Sequence, residues 1–115
     1  MIPPPMPTAG GAIPLTHVLT IGAGLFTIGL FGALSRRNAI GILMAIELIL
    51  NATALNLVAF NAYQGPPGAP ALGQTFAIFV IGIAAAGAIV GLALILAIYR
   101  QTRTILADEI RLLKG

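Results

Sequence analysis

Residues 39–62 read AIGILMAIELILNATALNLVAFNA, an apolar run interrupted by one charge, Glu47. At about 1.5 Å per residue, a helix of some twenty residues crosses the ~30 Å hydrocarbon layer of a bilayer. A helix on the surface of a soluble domain would set an apolar stripe against a polar face. Here apolar side chains occur all round, so the run predicts a transmembrane helix.

The flanking sequence repeats that pattern on both sides. Ser35, Arg36, Arg37 and Asn38 form a short polar turn, preceded by residues 14–34, all apolar, small or weakly polar. Pro14 suits a helix start. On the other side, Gly65, Pro66, Pro67, Gly68 and Pro70 break any helix and mark residues 63–74 as an uncharged loop. A third run follows over about 75–99. The fold class predicted is therefore an all-α integral membrane protein with three transmembrane helices, spans about 14–34, 39–62 and 75–99, in a membrane domain of residues 13–100. Residues 1–12 hold half of the eight prolines and no charge, so they read as an extended arm. They lack the basic segment that would make them a signal peptide. In the polar tail, residues 101–115, Asp108, Glu109, Arg111 and Lys114 alternate with leucines and isoleucines, a pattern that fits a short interfacial helix.

Composition agrees and excludes other classes. The 115 residues are 58% hydrophobic and 8% charged, with mean hydropathy +1.02, outside the range of soluble domains. The lipid bilayer is thus a partner. With no cysteine, disulfides, thiolate-bound zinc and cysteine-held iron–sulfur clusters are excluded, and one histidine builds no metal site. The six basic residues are too few and too dispersed to bind nucleic acid. Three spans place Arg36, Arg37, Arg100, Arg103, Arg111 and Lys114 all on one side. By the positive-inside rule that side is the cytoplasm, with the N-terminus outside and the C-terminus cytoplasmic.

Glu47 lies about nine residues into the second span, ~13.5 Å from its cytoplasmic edge and near the middle of the bilayer core. A charged residue at that depth costs on the order of 2.5–3.5 kcal/mol to insert, and no structural need is met by that cost. A carboxyl free to hold either form can accept and release a proton, whereas one locked in an ion pair cannot. Glu47 is therefore the candidate proton carrier. Asn51, one turn on and on the same face, is a candidate partner that can hold a water or hydrogen-bond the carboxyl. The competing reading makes Glu47 a protonated acid that ties helices together. Asn56 faces roughly the other way, toward another helix. His17 lies near the outer interface, where an exposed histidine usually has no special role, and Arg36 and Arg37 read as topology anchors.

Small residues within the spans point to close helix packing: Gly22, Gly24, Gly29 and Gly32 in the first, and Gly82, Ala86, Gly87 and Gly91 in the third. They serve either the chain's own bundle or neighbouring subunits. Gly22-Ala23-Gly24 resembles the start of a dinucleotide-binding fingerprint, but Thr27 stands where the third glycine belongs and no strand precedes it.

Several stretches together resemble a known family. These are residues 13–17 (IPLTH), 25–29 (LFTIG), 36–38 (RRN) and 43–52 (LMAIELILNA), with 84–86 (AAA), 91–94 (GLAL) and Tyr99-Arg100 in the third span. The chain is similar over about residues 13–100 to the K, or 4L, membrane subunit of respiratory complex I, the proton-translocating NADH:quinone oxidoreductase. The resemblance implies a non-redox subunit of a translocase, in an energy-transducing membrane such as the bacterial inner membrane. It sits between quinone-side and antiporter-like subunits of the membrane arm and contributes a buried carboxylate to the hydrophilic axis that couples quinone reduction to proton pumping. It implies no cofactor in this subunit, with quinone, flavin and iron–sulfur clusters in others, and it puts Glu47 on the family's second-helix glutamate. The sequence departs from the family in two places. The proline-rich arm precedes the usual start, and Gly87 stands where the third helix normally carries a second glutamate. Two other readings stay open: a homologous small subunit of a cation/proton antiporter or membrane-bound hydrogenase, and a structural membrane adaptor with no proton role. An ATP synthase rotor subunit is excluded, because that design is a two-helix hairpin.

Overall fold

The computed structural model describes residues 13–110; the proline-rich arm, Arg111 and Lys114 lie outside that range. Three long helices, α1 (Leu15–Ser35), α2 (Ala39–Gln64) and α3 (Leu72–Thr102), are followed by one short turn of helix, α4 (Ala107–Ile110). The first three are each long and apolar enough to cross a membrane, and no strand forms among the described residues. The prolines shorten the loop less than they frame it: α3 begins at Leu72, before the expected Thr75, because Pro70 is the last residue that blocks a helix.

Helix α2 is central and packs along both α1 and α3. Its side toward α1 carries Ala45, Ile49 and Asn56, which lie against Gly32, Gly29 and Gly22. Its side toward α3 carries Leu43 against Gly91 and Leu57 with Asn61 against Gly73. The buried residues are all small: Gly22 and Gly29 in α1, Ala45, Ala52, Ala54 and Ala59 in α2, and Ala77 and Ala84 in α3. Large apolar side chains point outward instead, Phe31 72% and Leu34 80% exposed. That arrangement inverts a soluble core. In lipid, helices gain nothing by hiding leucine from a solvent as apolar as leucine, so small residues that let backbones approach do the packing.

The glycines divide along this line. Gly22, Gly29, Gly32 and Gly91 are spent on packing within the chain, whereas a Cβ added at Gly24, Gly82 or Gly87 would meet nothing within 4 Å.

Polar groups tie the ends. At the arginine-bearing end, Asn38 caps α2, its Oδ1 accepting from the backbone N–H of Ile40 (2.8 Å) and Gly41 (3.4 Å). There α3 stops at Arg103, which adopts the left-handed conformation (φ 60°) and turns the chain back. Residues 104–107 then run antiparallel to the α1–α2 turn. Ala39 N–H donates to the Ile105 carbonyl (2.9 Å) and Ala107 N–H to the Arg37 carbonyl (3.0 Å). The Arg37 guanidinium pairs with Asp108 at 2.5 Å. The short helix expected in the tail is present as α4, and it is held to the turn by these contacts. At the opposite end, Tyr63 Oη donates to the Ile13 carbonyl (2.8 Å) and Gly73 N–H to Asn61 Oδ1 (2.7 Å).

Candidate functional site

Glu47 is the ninth residue of α2, about 12 Å along the helix axis from Ala39. Within this chain it is half-buried and not enclosed, and it makes no hydrogen bond or ion pair with any described residue. Its position follows from the register of α2 on α3. Leu43 packs on Gly91, where an added Cβ would lie 3.1 Å from Leu43 Cδ1. Because the helices are antiparallel, one turn further along α2, at Glu47, is level with one turn back along α3, at Gly87. Glu47 thus stands on the edge of the α2–α3 seam at the depth of Gly87. The space beside Gly87 is open.

Asn51 follows Glu47 by one turn on the same flank and is exposed. Met44 and Val58, 65% and 37% exposed, share that flank. An ionisable group and an amide therefore lie on a side of α2 that neither α1 nor α3 covers. Since an uncompensated carboxylate facing hydrocarbon is costly, this flank is suited to contact with something polar rather than with lipid tails.

The other polar residues are elsewhere. Asn56 turns toward α1, where its buried Oδ1 lies against Gly22 without a hydrogen-bond donor among the described residues. His17 is exposed in the first turn of α1, at the end opposite the arginines, and is not brought near Glu47. Arg36 is exposed with no ion pair among the described residues, while Arg37 is engaged by Asp108. Among the described residues no three metal-ligating side chains come together.

Sequence reasoning missed the polar ties at the ends. Asn38 directly before an apolar run is a helix-start signal that is legible in the sequence. The pairing of Arg37 with Asp108 spans 71 positions and has no local signature.

The chain matches, over residues 17–115, the protein family described as NADH-ubiquinone/plastoquinone oxidoreductase chain 4L. It is 48% identical to the NADH-quinone oxidoreductase subunit K of Geobacillus sp. (strain WCH70), covering 90% of this chain and 97% of that one. It is 51% identical to the NAD(P)H-quinone oxidoreductase subunit 4L of Synechocystis sp. (87% and 95% covered) and 52% identical to that of Leptolyngbya boryana (87% and 97%).

Proposed function

Given that the chain belongs to the NADH-quinone oxidoreductase chain 4L family of small membrane subunits, we propose that Glu47 is a proton carrier in the membrane arm of that complex. It is a multi-pass membrane protein of a bacterial membrane. The observation that carries the proposal is Glu47 itself, the one charged residue of α2, held within a spanning helix without a hydrogen-bond or ion-pair partner among the described residues. A carboxylate at that depth requires a polar neighbour to offset the cost of its charge.

On this reading the uncovered flank of Glu47 and Asn51 meets polar groups of adjoining subunits, those on the quinone side and those of antiporter type. Asn51 holds a water or the carboxyl itself. The open space beside Gly87 admits water or an acid from a neighbour, so the proton path continues where the family's second glutamate is missing. The subunit performs no redox step; quinone, flavin and iron–sulfur clusters belong to its partners. On this reading the arginine-bearing end faces the cytoplasm, which the placement of the basic residues supports.

The test is Glu47→Gln in the intact complex, since Gln keeps the hydrogen-bonding shape but cannot titrate. Proton pumping and the quinone reduction coupled to it are expected to fall together, on the order of 10²-fold for a proton-transfer group, with assembly unchanged. Unaltered pumping in the assembled variant would leave Glu47 as a structural acid.

A further inference from the structure

We propose that the groove between α1 and α2 at the arginine-bearing end holds an anionic phospholipid, its phosphate on Arg36 and an acyl chain running inward. The groove has a volume of about 260 Å³ and its floor and walls include Ile28, Gly32, Met44, Ala45 and Leu48. It exists because Gly32 and Gly41 offer no side chain there: Gly32 meets only Ala45 on α2, and Gly41 receives the aliphatic stem of Arg36, 3.5–3.6 Å from where its Cβ would be. With its stem laid over Gly41, Arg36 is the charged residue of the groove lining.

Three observations select the occupant. Arg36 is the cation left over at this turn, because Arg37 is engaged by Asp108 while Arg36 makes no ion pair among the described residues. The groove runs from Arg36, just past the end of α1, to Ile28, two turns inside the membrane. A single positive charge at the border with an apolar channel leading inward is the complement of a phospholipid, charged at the border and apolar within. Finally, no other lining side chain donates a hydrogen bond and only the weakly accepting Met44 sulfur accepts one, so the groove has little with which to specify a polar protein segment. This site is independent of whether Glu47 moves protons, since it requires only membrane insertion.

The experiment uses phosphatidylglycerol and phosphatidylcholine carrying the same photoactivatable acyl chain, added to native membranes that contain the assembled chain. Mass spectrometry then reads labelling of the segment 28–48. The anionic probe is expected to label it in preference to the neutral one. Arg36→Gln should lower that labelling about fivefold, the factor one basic residue contributes at a membrane surface, and Arg36→Lys should retain most of it. The level of the chain in the membrane controls for folding, and the comparison of the two probes on the unsubstituted protein needs no variant. Equal labelling by both probes would overturn the proposal. So would absence of lipid label together with cross-links from this segment to a neighbouring subunit, which would show that protein fills the groove.

Discussion

Substituting Gly29 and Gly87 by alanine separates glycines that close the bundle from those that do not. At Gly29 the new Cβ would lie 2.8 Å from Ile49 Cγ1 and 2.9 Å from the Ala45 carbonyl oxygen. Ile49 can turn its side chain away, but the Ala45 oxygen is backbone of the central helix. Restoring an ordinary contact of about 3.4 Å therefore requires α1 to retreat by about 0.5 Å, a displacement felt along the whole α1–α2 seam. Overpacking of this kind costs ~1–3 kcal/mol. At Gly87 the same Cβ meets nothing within 4 Å. Both substitutions gain the same helix propensity, up to ~1 kcal/mol, so that contribution cancels between them and the collision remains. A difference of about 2 kcal/mol is expected, a factor of up to ~30 in the folded to unfolded ratio. The cysteine-free chain permits dyes at Thr16→Cys and Gln64→Cys, at the adjoining ends of α1 and α2. Energy transfer between them, followed as SDS is titrated into mild detergent, gives the midpoint of separation. Equal midpoints for the two alanine variants would refute the packing of α1 on α2 through Gly29.

Other outcomes follow from the same geometry. Asn38→Ala removes the cap from the Ile40 and Gly41 amides, so a loss of ~1 kcal/mol is expected, read as faster hydrogen exchange at those two amides, with Asn38→Ser restoring protection. Ala107→Pro deletes the donor to the Arg37 carbonyl while suiting the first position of α4, and should loosen the tail by ~1 kcal/mol. Asp108→Asn should loosen it by less, ~0–1 kcal/mol, because its pair with Arg37 is exposed on both sides (66% and 50%); tryptic cleavage after Arg103 ranks the two. Gly87→Leu, which fills the open space, is expected to slow coupled proton pumping, and Gly87→Glu, which supplies an acid level with Glu47, to preserve it. The reverse order would remove the space beside Gly87 from the proton path.

The placement of Glu47 limits what this chain does alone. Its α3-side neighbours along α2 are Leu43 and Leu50, and neither side chain offers a proton. In the proposed carrier role, Glu47 takes its donor and acceptor from adjoining subunits.

By itself the sequence determined the class of fold. Apolar runs of spanning length leave the bilayer as the only suitable solvent, and Gly65 to Pro70 cannot be helical, so three spanning helices follow from local chemistry. It also determined that Glu47 and Asn51 share a face, since a helix repeats every 3.6 residues. Only the tertiary structure decided that α2 is central, that Gly29 closes a seam while Gly87 opens one, and that Glu47 and Gly87 stand at one level. Those facts depend on the register of one helix against another, which contacts between distant residues set. The fastening of the tail by Arg37, Ile105, Ala107 and Asp108 belongs there too, because a backbone bond between residues so far apart leaves no periodic trace in the chain.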